Sequence, residues 1–373
     1  MSHSVRDDAL AIWHAAVECV RGDHLISQHL AVDADSLRIG DHVIELAKIE
    51  RIAVVGGGKA GAGMVAGVES VLSPIAATKQ LHGWVNVPEK CVQATQWIQL
   101  HAARPAGQNL PTEAGVYGTK QILEIVATLG PKDLCICLIS GGGSALLPAP
   151  VPQITLNDKL TLTESLSAAG ANIEELNVVR TQLSCLKGGG LARICQAGFL
   201  TSLVISDVLG DPLETIASGP TTTNQSTPQQ AIDILKAYDL HADPRLASVL
   251  TYLQNQTNSP TVNHRTATTR HIPIIIGNNA TAVEAAGMAA QDRGYRLTTL
   301  AAGNSEGEAE RIGRQLAEMT AHLSKHSDDC CFVWGGEPVV TLVPEETRGK
   351  GGRNQQLALA AYLQLLQEHR LDQ

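Results

Sequence analysis

The chain has 373 residues, 44% hydrophobic but only 3% aromatic, which excludes a disordered polymer and calls for cores of aliphatic side chains. Its length is enough for two domains or more, and a net charge of −9 argues against a nucleic-acid partner, which needs a basic face. None of the eight cysteines falls in a C-x-x-C pair, the first residues lack the basic and apolar regions of a signal peptide, and no run reaches the ~18 apolar residues of a membrane span, so a cytoplasmic protein with reduced thiols is expected.

Residues 4–20 read as an amphipathic helix, with Val5, Leu10, Ile12, Trp13, Ala16, Val17 and Val20 mostly on one side. One pattern then recurs along the chain: a short apolar run, a Gly-rich loop and a helix-like segment. Residues 51–55 lead into Gly56-Gly57-Gly58-Lys59-Ala60-Gly61, and 134–139 lead into Ser140-Gly141-Gly142-Gly143-Ser144. Residues 203–205 lead into Ser206-Asp207-Val208-Leu209-Gly210-Asp211-Pro212. Residues 272–276 lead into Gly277-Asn278-Asn279, with Thr281 placed to cap the next helix. Residues 331–334 lead into Gly335-Gly336-Glu337-Pro338, with strand-like 339–343 beyond. Helices are also expected at 115–129, 231–238 and 357–366. Near-continuously apolar strands alternating with helices predict an α/β fold with a mainly parallel sheet. In such sheets ligands bind beyond the C-terminal ends of the strands, where these loops and isolated charges fall. The polar stretch 254–271 is the better boundary, giving domains 1–255 and 256–373.

Each motif has a chemical and a structural reading. Gly56-x-Gly58-x-x-Gly61 after a strand suggests a dinucleotide site, yet no Asp or Glu lies between Glu69 and Glu89 to hold a ribose. Lys59 inside that loop suits a phosphate or carboxylate; otherwise the loop is a tight turn with a solvated lysine. The small residues from Ser140 to Ser144 offer a second phosphate cradle or a crowded strand-to-helix crossing. Arg180 and Lys187 precede the run Gly188-Gly189-Gly190. Asp207 and Asp211 suit Mg²⁺ or a substrate hydroxyl proton, or else turn chemistry, and Glu337 has the same two readings. Arg353, ahead of an apolar helix, opposes the helix dipole unless an anion or solvent compensates. His322, His326 and Cys330 share helical spacing, but Ser327-Asp328-Asp329 reads as a helix end, which favours no zinc site. No Walker A or protein-kinase catalytic loop is present.

Taken together, in order, these loops resemble the type II glycerate kinases, the family with a C-terminal MOFRL domain. The further matches are residues 177–191, Ala217-Ser218-Gly219-Pro220-Thr221 and residues 349–355. The resemblance implies a Rossmann-like domain plus a smaller C-terminal α/β domain, and transfer of phosphate from ATP, with Mg²⁺, to the 2-hydroxyl of glycerate. By position it implies Lys59 and Arg353 as active-site cations and Asp207 as base or Mg²⁺ contact. It implies phosphate or substrate contacts at Gly57, Gly58, Ser140, Gly141, Gly142, Gly143, Ser144, Arg180, Lys187, Asp211, Asn278 and Glu337. No nucleic-acid or membrane partner is expected, and a homodimer is left open. Two departures stand out. Thr181 and Gln182 replace the family's Lys-His, and the chain ends at Gln373 before the family's T-D-G-x-D-G-P-T segment. The competing expectations are a truncated nucleotide-binding homologue and a hydroxypyruvate reductase.

Overall fold

The structure, a computed structural model, describes residues 4–258, 270–301, 307–323, 329–341 and 343–367. Its contacts form two compact units, Arg21–Ile276 and Met1–Val20 with Gly277–Gln373. Where the boundary was expected near 255, the units therefore divide after 276, and the first helix belongs with the C-terminal unit.

The larger unit begins with an antiparallel meander of β1 (Leu30–Asp33), β2 (Ser36–Ile39) and β3 (His42–Glu45). Then come β4 (Ile52–Gly57), β5 (His82–Pro88), β6 (Ile98–Arg104), β7 (Leu134–Ile139), β8 (Phe199–Ile205) and β9 (Arg270–Gly277). These six make one sheet in the order β6-β5-β4-β7-β8-β9. The pairs from β6 through β8 are all parallel. Every residue of β4 and β7 is buried, because helices cover both sheet faces; that is why these two strands appear in the sequence as unbroken apolar runs. Ala53, Val55, Cys135 and Cys137 pack with Ile122 and Val126 of the helix Glu113–Ala127. A second core holds the helices Leu156–Ala168, Ile173–Gln182, Pro228–Ala237 and Ala247–Asn258 together through Leu162, Leu166, Val179, Leu235, Val249 and Leu253.

In the other unit β10 (Arg296–Ala301) and β11 (Cys330–Gly335) pair in parallel. The helix Val5–Cys19 starts where Ser4 Oγ accepts from Asp7 N at 3.2 Å, and it buries Ile12 against Ala286 and Ala290. Two expectations are corrected here. Asn278, not Thr281, caps the helix Asn279–Gln291: its side chain accepts from Thr281 N at 3.0 Å. Residues 339–343 supply only a lone bridge from Val339 to Glu308, with no strand among the described residues. Cys330 opens β11, beyond the end of the helix Ala309–Leu323 that carries His322; His326 lies outside the described residues. Among the described residues no cluster could hold a metal ion, and no helix is long and apolar enough to cross a membrane.

Candidate active site

The sheet order reverses between β4 and β7, so the loops leaving these neighbours open a crevice at the C-terminal strand ends. The two loops are stitched together. Lys59 N donates to Gly141 O at 2.9 Å, Ala60 N to Ser140 Oγ at 3.0 Å, and Gly58 N to Asn86 O at 3.1 Å. A Cβ on Gly58 would lie 2.0 Å from Ser140 Oγ, so glycine there permits the close approach. Gly57 pairs with Ile139 as the last step of β4. The first loop thus has protein acceptors for the amides of Gly58, Lys59 and Ala60, and what it presents to solvent is the Lys59 side chain.

The second loop differs. Gly142 has φ +79°, and Gly143 N closes a turn on Ser140 O at 3.1 Å. The amides of Gly141 and Gly142 donate to no group among the described residues. Consecutive free amides around a left-handed residue form an anion-binding nest.

Three charged groups converge on this loop. Asp207, exposed just after β8, brings Oδ2 within 2.2 Å of where a Cβ on Gly141 would stand. Lys59 Cε and Arg104 Nη2 come within 3.2 and 3.0 Å of the same position on Gly142. Arg104 ends β6, is 5% exposed, and donates through Nη1 to Asn109 Oδ1. Burial lowers its pKa from the usual arginine value, partly offset by Cys91. Asp211 has φ +55°, and its N–H bonds Val208 O at 3.1 Å, closing the turn ahead of Pro212.

Behind Ser144 lies a buried cation cluster. Lys187, 3% exposed, donates to Ser144 O at 3.2 Å, to Ser218 Oγ at 3.2 Å and to Ser144 Oγ. The two serine hydroxyls are 2.9 Å apart, and Ser218 donates to Asn177 Oδ1 at 3.1 Å. Ala217 and Ser218 hold φ +53° and +60°, strained values for residues with a Cβ. Lys159 donates to Leu183 O at 3.2 Å and Arg180 Nε to Thr163 Oγ1 at 3.3 Å. All of these bonds run to neutral acceptors. Burial, then Lys159 and Arg180, hold the Lys187 pKa well below 10.5, and burial followed by Arg180 brings Lys159 to about 8. Burial also lowers that of Arg180. Gln182, at one departure from the family pattern, donates to Ser226 O at 2.9 Å.

The remaining expected residues lie in the other unit. Arg353 starts the helix Arg353–Gln367, and its Nη2 pairs with Glu337 Oε1 at 2.7 Å, each side chain about half exposed (48% and 46%). Glu337 therefore supplies the anion that a guanidinium at a helix N-terminus lacks. Arg353 also lines a cavity of about 920 Å³ with Arg314, Lys350, Leu359 and Leu363. The Asn278 side chain serves as a helix cap. The structure thus brings together Lys59, Ser140 to Ser144, Asp207, Arg180 and Lys187 in one unit, and Glu337 with Arg353 in the other.

Sequence reasoning missed Arg104, Lys159 and Asn86. Asn86 is fully buried and donates to Leu146 O at 2.8 Å while its own carbonyl accepts from Gly58, so it fastens both loops to β5. The available signal for Arg104 was a strand followed by Pro105 and Gly107, a weaker version of the recurrent strand-to-glycine pattern.

Comparison with known proteins adds to this geometry. Residues 8–254 match a family described as a domain of unknown function, DUF4147, and residues 330–372 match the MOFRL family. A glycerate kinase of Mus musculus is 33% identical over 97% of this chain and 77% of its own length. A protein of Agrobacterium vitis named putative hydroxypyruvate reductase is 35% identical over 83% of this chain and 77% of its own. The crystal structure of a glycerate kinase from Thermotoga maritima superposes with a TM-score of 0.76 at 28% identity, covering 97% of this chain and 80% of that one.

Proposed function

The chain belongs to the glycerate kinase family and is a kinase, and on that premise we propose that it transfers the γ-phosphoryl group of ATP to the 2-hydroxyl of glycerate, giving 2-phosphoglycerate and ADP. The observation that carries this is the convergence at the β4–β7 reversal of a free amide nest, Lys59 and Asp207. Phosphoryl transfer needs placed positive charge and orientation more than covalent chemistry, and these residues offer both.

In this scheme the amides of Gly141 and Gly142 hold phosphate oxygens, and Lys59 neutralises charge on the transferring group. Arg180 and Lys187, whose described bonds run to neutral groups, set a positive potential behind Ser144 that favours a polyphosphate. Asp207 accepts the proton of the 2-hydroxyl as it attacks. Arg353, which pairs with Glu337 within its own unit, is a further proposed cation for phosphoryl charge. Mg²⁺ accompanying ATP neutralises phosphate charge; one exposed carboxylate such as Asp207 fits an ion that keeps most of its ligands as water and phosphate.

A second reading, hydroxypyruvate reduction, is favoured by the name of the Agrobacterium relative. Against it, the first glycine loop has protein acceptors for the amides that a dinucleotide pyrophosphate would use. The test is a coupled assay with ATP, Mg²⁺ and D-glycerate, reporting through enolase, pyruvate kinase and lactate dehydrogenase with phosphoglycerate mutase left out. An enolase-dependent signal is expected, against an enolase-free control that removes the ADP background. Arg353→Ala should lower turnover by about 100-fold or more with an unchanged melting temperature. No enolase-dependent signal from a folded, ATP-binding chain, or NADH oxidation with hydroxypyruvate, would refute glycerate phosphorylation.

A further inference from the structure

Arg104 differs from the other arginines that carry carboxylates in this fold. Arg51 and Arg245 each present the Nε–Nη2 edge of the guanidinium to an aspartate. Arg51 does so to Asp133 at 3.1 and 2.5 Å, and Arg245 to Asp243 at 3.1 and 2.7 Å. In Arg104 only Nη1 is engaged, by Asn109, while Nε is buried without a partner. The same Nε–Nη2 edge is thus unpartnered among the described residues, on a side chain 5% exposed. Its Nη2 faces Gly142 at the loop that also carries Lys59 and Asp207. A buried guanidinium with two parallel donors and no protein acceptor is costly unless an anion meets it, and a planar carboxylate is the group that fits such a fork.

The position relative to Asp207 narrows the ligand. Asp207 sits against Gly141 and Arg104 against Gly142, adjacent residues whose Cα atoms are about 3.8 Å apart. Adding the two Cα–Cβ bonds and the 2.2 and 3.0 Å approaches keeps the two charged groups within roughly 12 Å of each other. A carboxylate and a hydroxyl on adjacent carbons, with a hydrogen bond at each end, span roughly 8 Å. We propose that Arg104 is the carboxylate anchor of the acceptor substrate, gripping an α-hydroxy acid by its Nε–Nη2 edge so that the 2-hydroxyl is presented to Asp207. Lys59 is then left to the transferring phosphoryl group. This rests on the kinase scheme above and assigns it an acceptor-specificity residue.

The experiment compares wild type with Arg104→Gln and Arg104→Lys. Calorimetry measures D-glycerate and glyceramide, its uncharged amide, each in the presence of Mg²⁺ and a non-hydrolysable ATP analogue; steady-state KM values run alongside. Loss of a charge-assisted bidentate pair should weaken glycerate binding about 100-fold in Arg104→Gln. Arg104→Lys, which keeps the charge and tests the fork should the Gln variant fail to fold, should lose about 10-fold. Affinity for the ATP analogue should stay within about twofold, and the preference for glycerate over its amide should disappear in Arg104→Gln. Retention of that preference in Arg104→Gln, an unweakened grip on glycerate in Arg104→Lys, or a parallel loss of nucleotide affinity would overturn the carboxylate assignment while leaving an active wild-type kinase standing. A wild type that neither binds nor phosphorylates glycerate would instead remove the kinase scheme itself.

Discussion

Replacing Lys159 with Met isolates the cost of an unpaired ammonium in the helical core. Lys159 is 7% exposed and its Nζ has Leu183 O as its acceptor at 3.2 Å. Burial, reinforced by Arg180, takes its pKa from 10.5 to about 8. In the unfolded chain the lysine keeps its ordinary value, so between pH 8 and 10.5 the unfolded state holds the extra proton. Stability therefore rises with pH across that window. The penalty is at full size below pH 8 and is relieved as pH approaches 10.5; a drop of this size corresponds to about 3 kcal/mol. Methionine keeps the packed stem and removes the charge. Urea unfolding of both proteins, stepped from about pH 7 to 10.5, should show the variant more stable by about 2–3 kcal/mol at neutral pH, with the advantage fading to nothing at the alkaline end. A difference that stays constant across the window would refute the reasoning, because it would show that Lys159 titrates alike in both states.

Gly58→Ala puts a Cβ 2.0 Å from Ser140 Oγ, forcing the two site loops apart; a loss of about 2–3 kcal/mol and of most turnover should appear in a thermal melt and the coupled assay. Asp133→Ala removes the acceptor of Arg51 Nε, Arg51 Nη2 and Gly130 N. Because Arg51 is one-third exposed (34%) and can rehydrate, the cost should be about 2–4 kcal/mol, read as a lower urea midpoint with unchanged slope. Asn86→Asp replaces a buried donor to Leu146 O and Thr119 Oγ1 with an acceptor and should cost about 3 kcal/mol or more, whereas a wild-type melting curve would show that Asn86 does not fasten the loops.

The strands nearest the site were legible because burial on both faces writes itself as an apolar run: β4 and β7 lie where the sequence places them. β5 and β6 were not, since His82–Pro88 carries Gly83, Trp84 and Asn86, and β6 alternates Ile98 and Leu100 with Gln99 and His101 as an edge strand does. Lys59 and Lys187 could be picked out because each adjoins a run of glycines, and Asp207 because it opens the loop after a strand. Arg104 sits inside the edge strand, and its significance comes from what fails to contact it. Periodicity cannot report that, nor the tertiary contacts that leave Lys159 buried without a counterion.

The helix Val5–Cys19 has a consequence for how this protein is made. Asp8 accepts a hydrogen bond from Tyr295 Oη at 2.9 Å and lies 3.5 Å from Arg293 Nε, so this helix waits during synthesis for partners nearly three hundred positions later. The unit Arg21–Ile276 is an uninterrupted stretch that can fold while synthesis continues; the unit that contains Arg353 closes only when its two separated pieces meet. The loop geometry around Lys59 and the Arg353–Glu337 pair are thereby completed at different times, and a nascent chain presents the first before it owns the second.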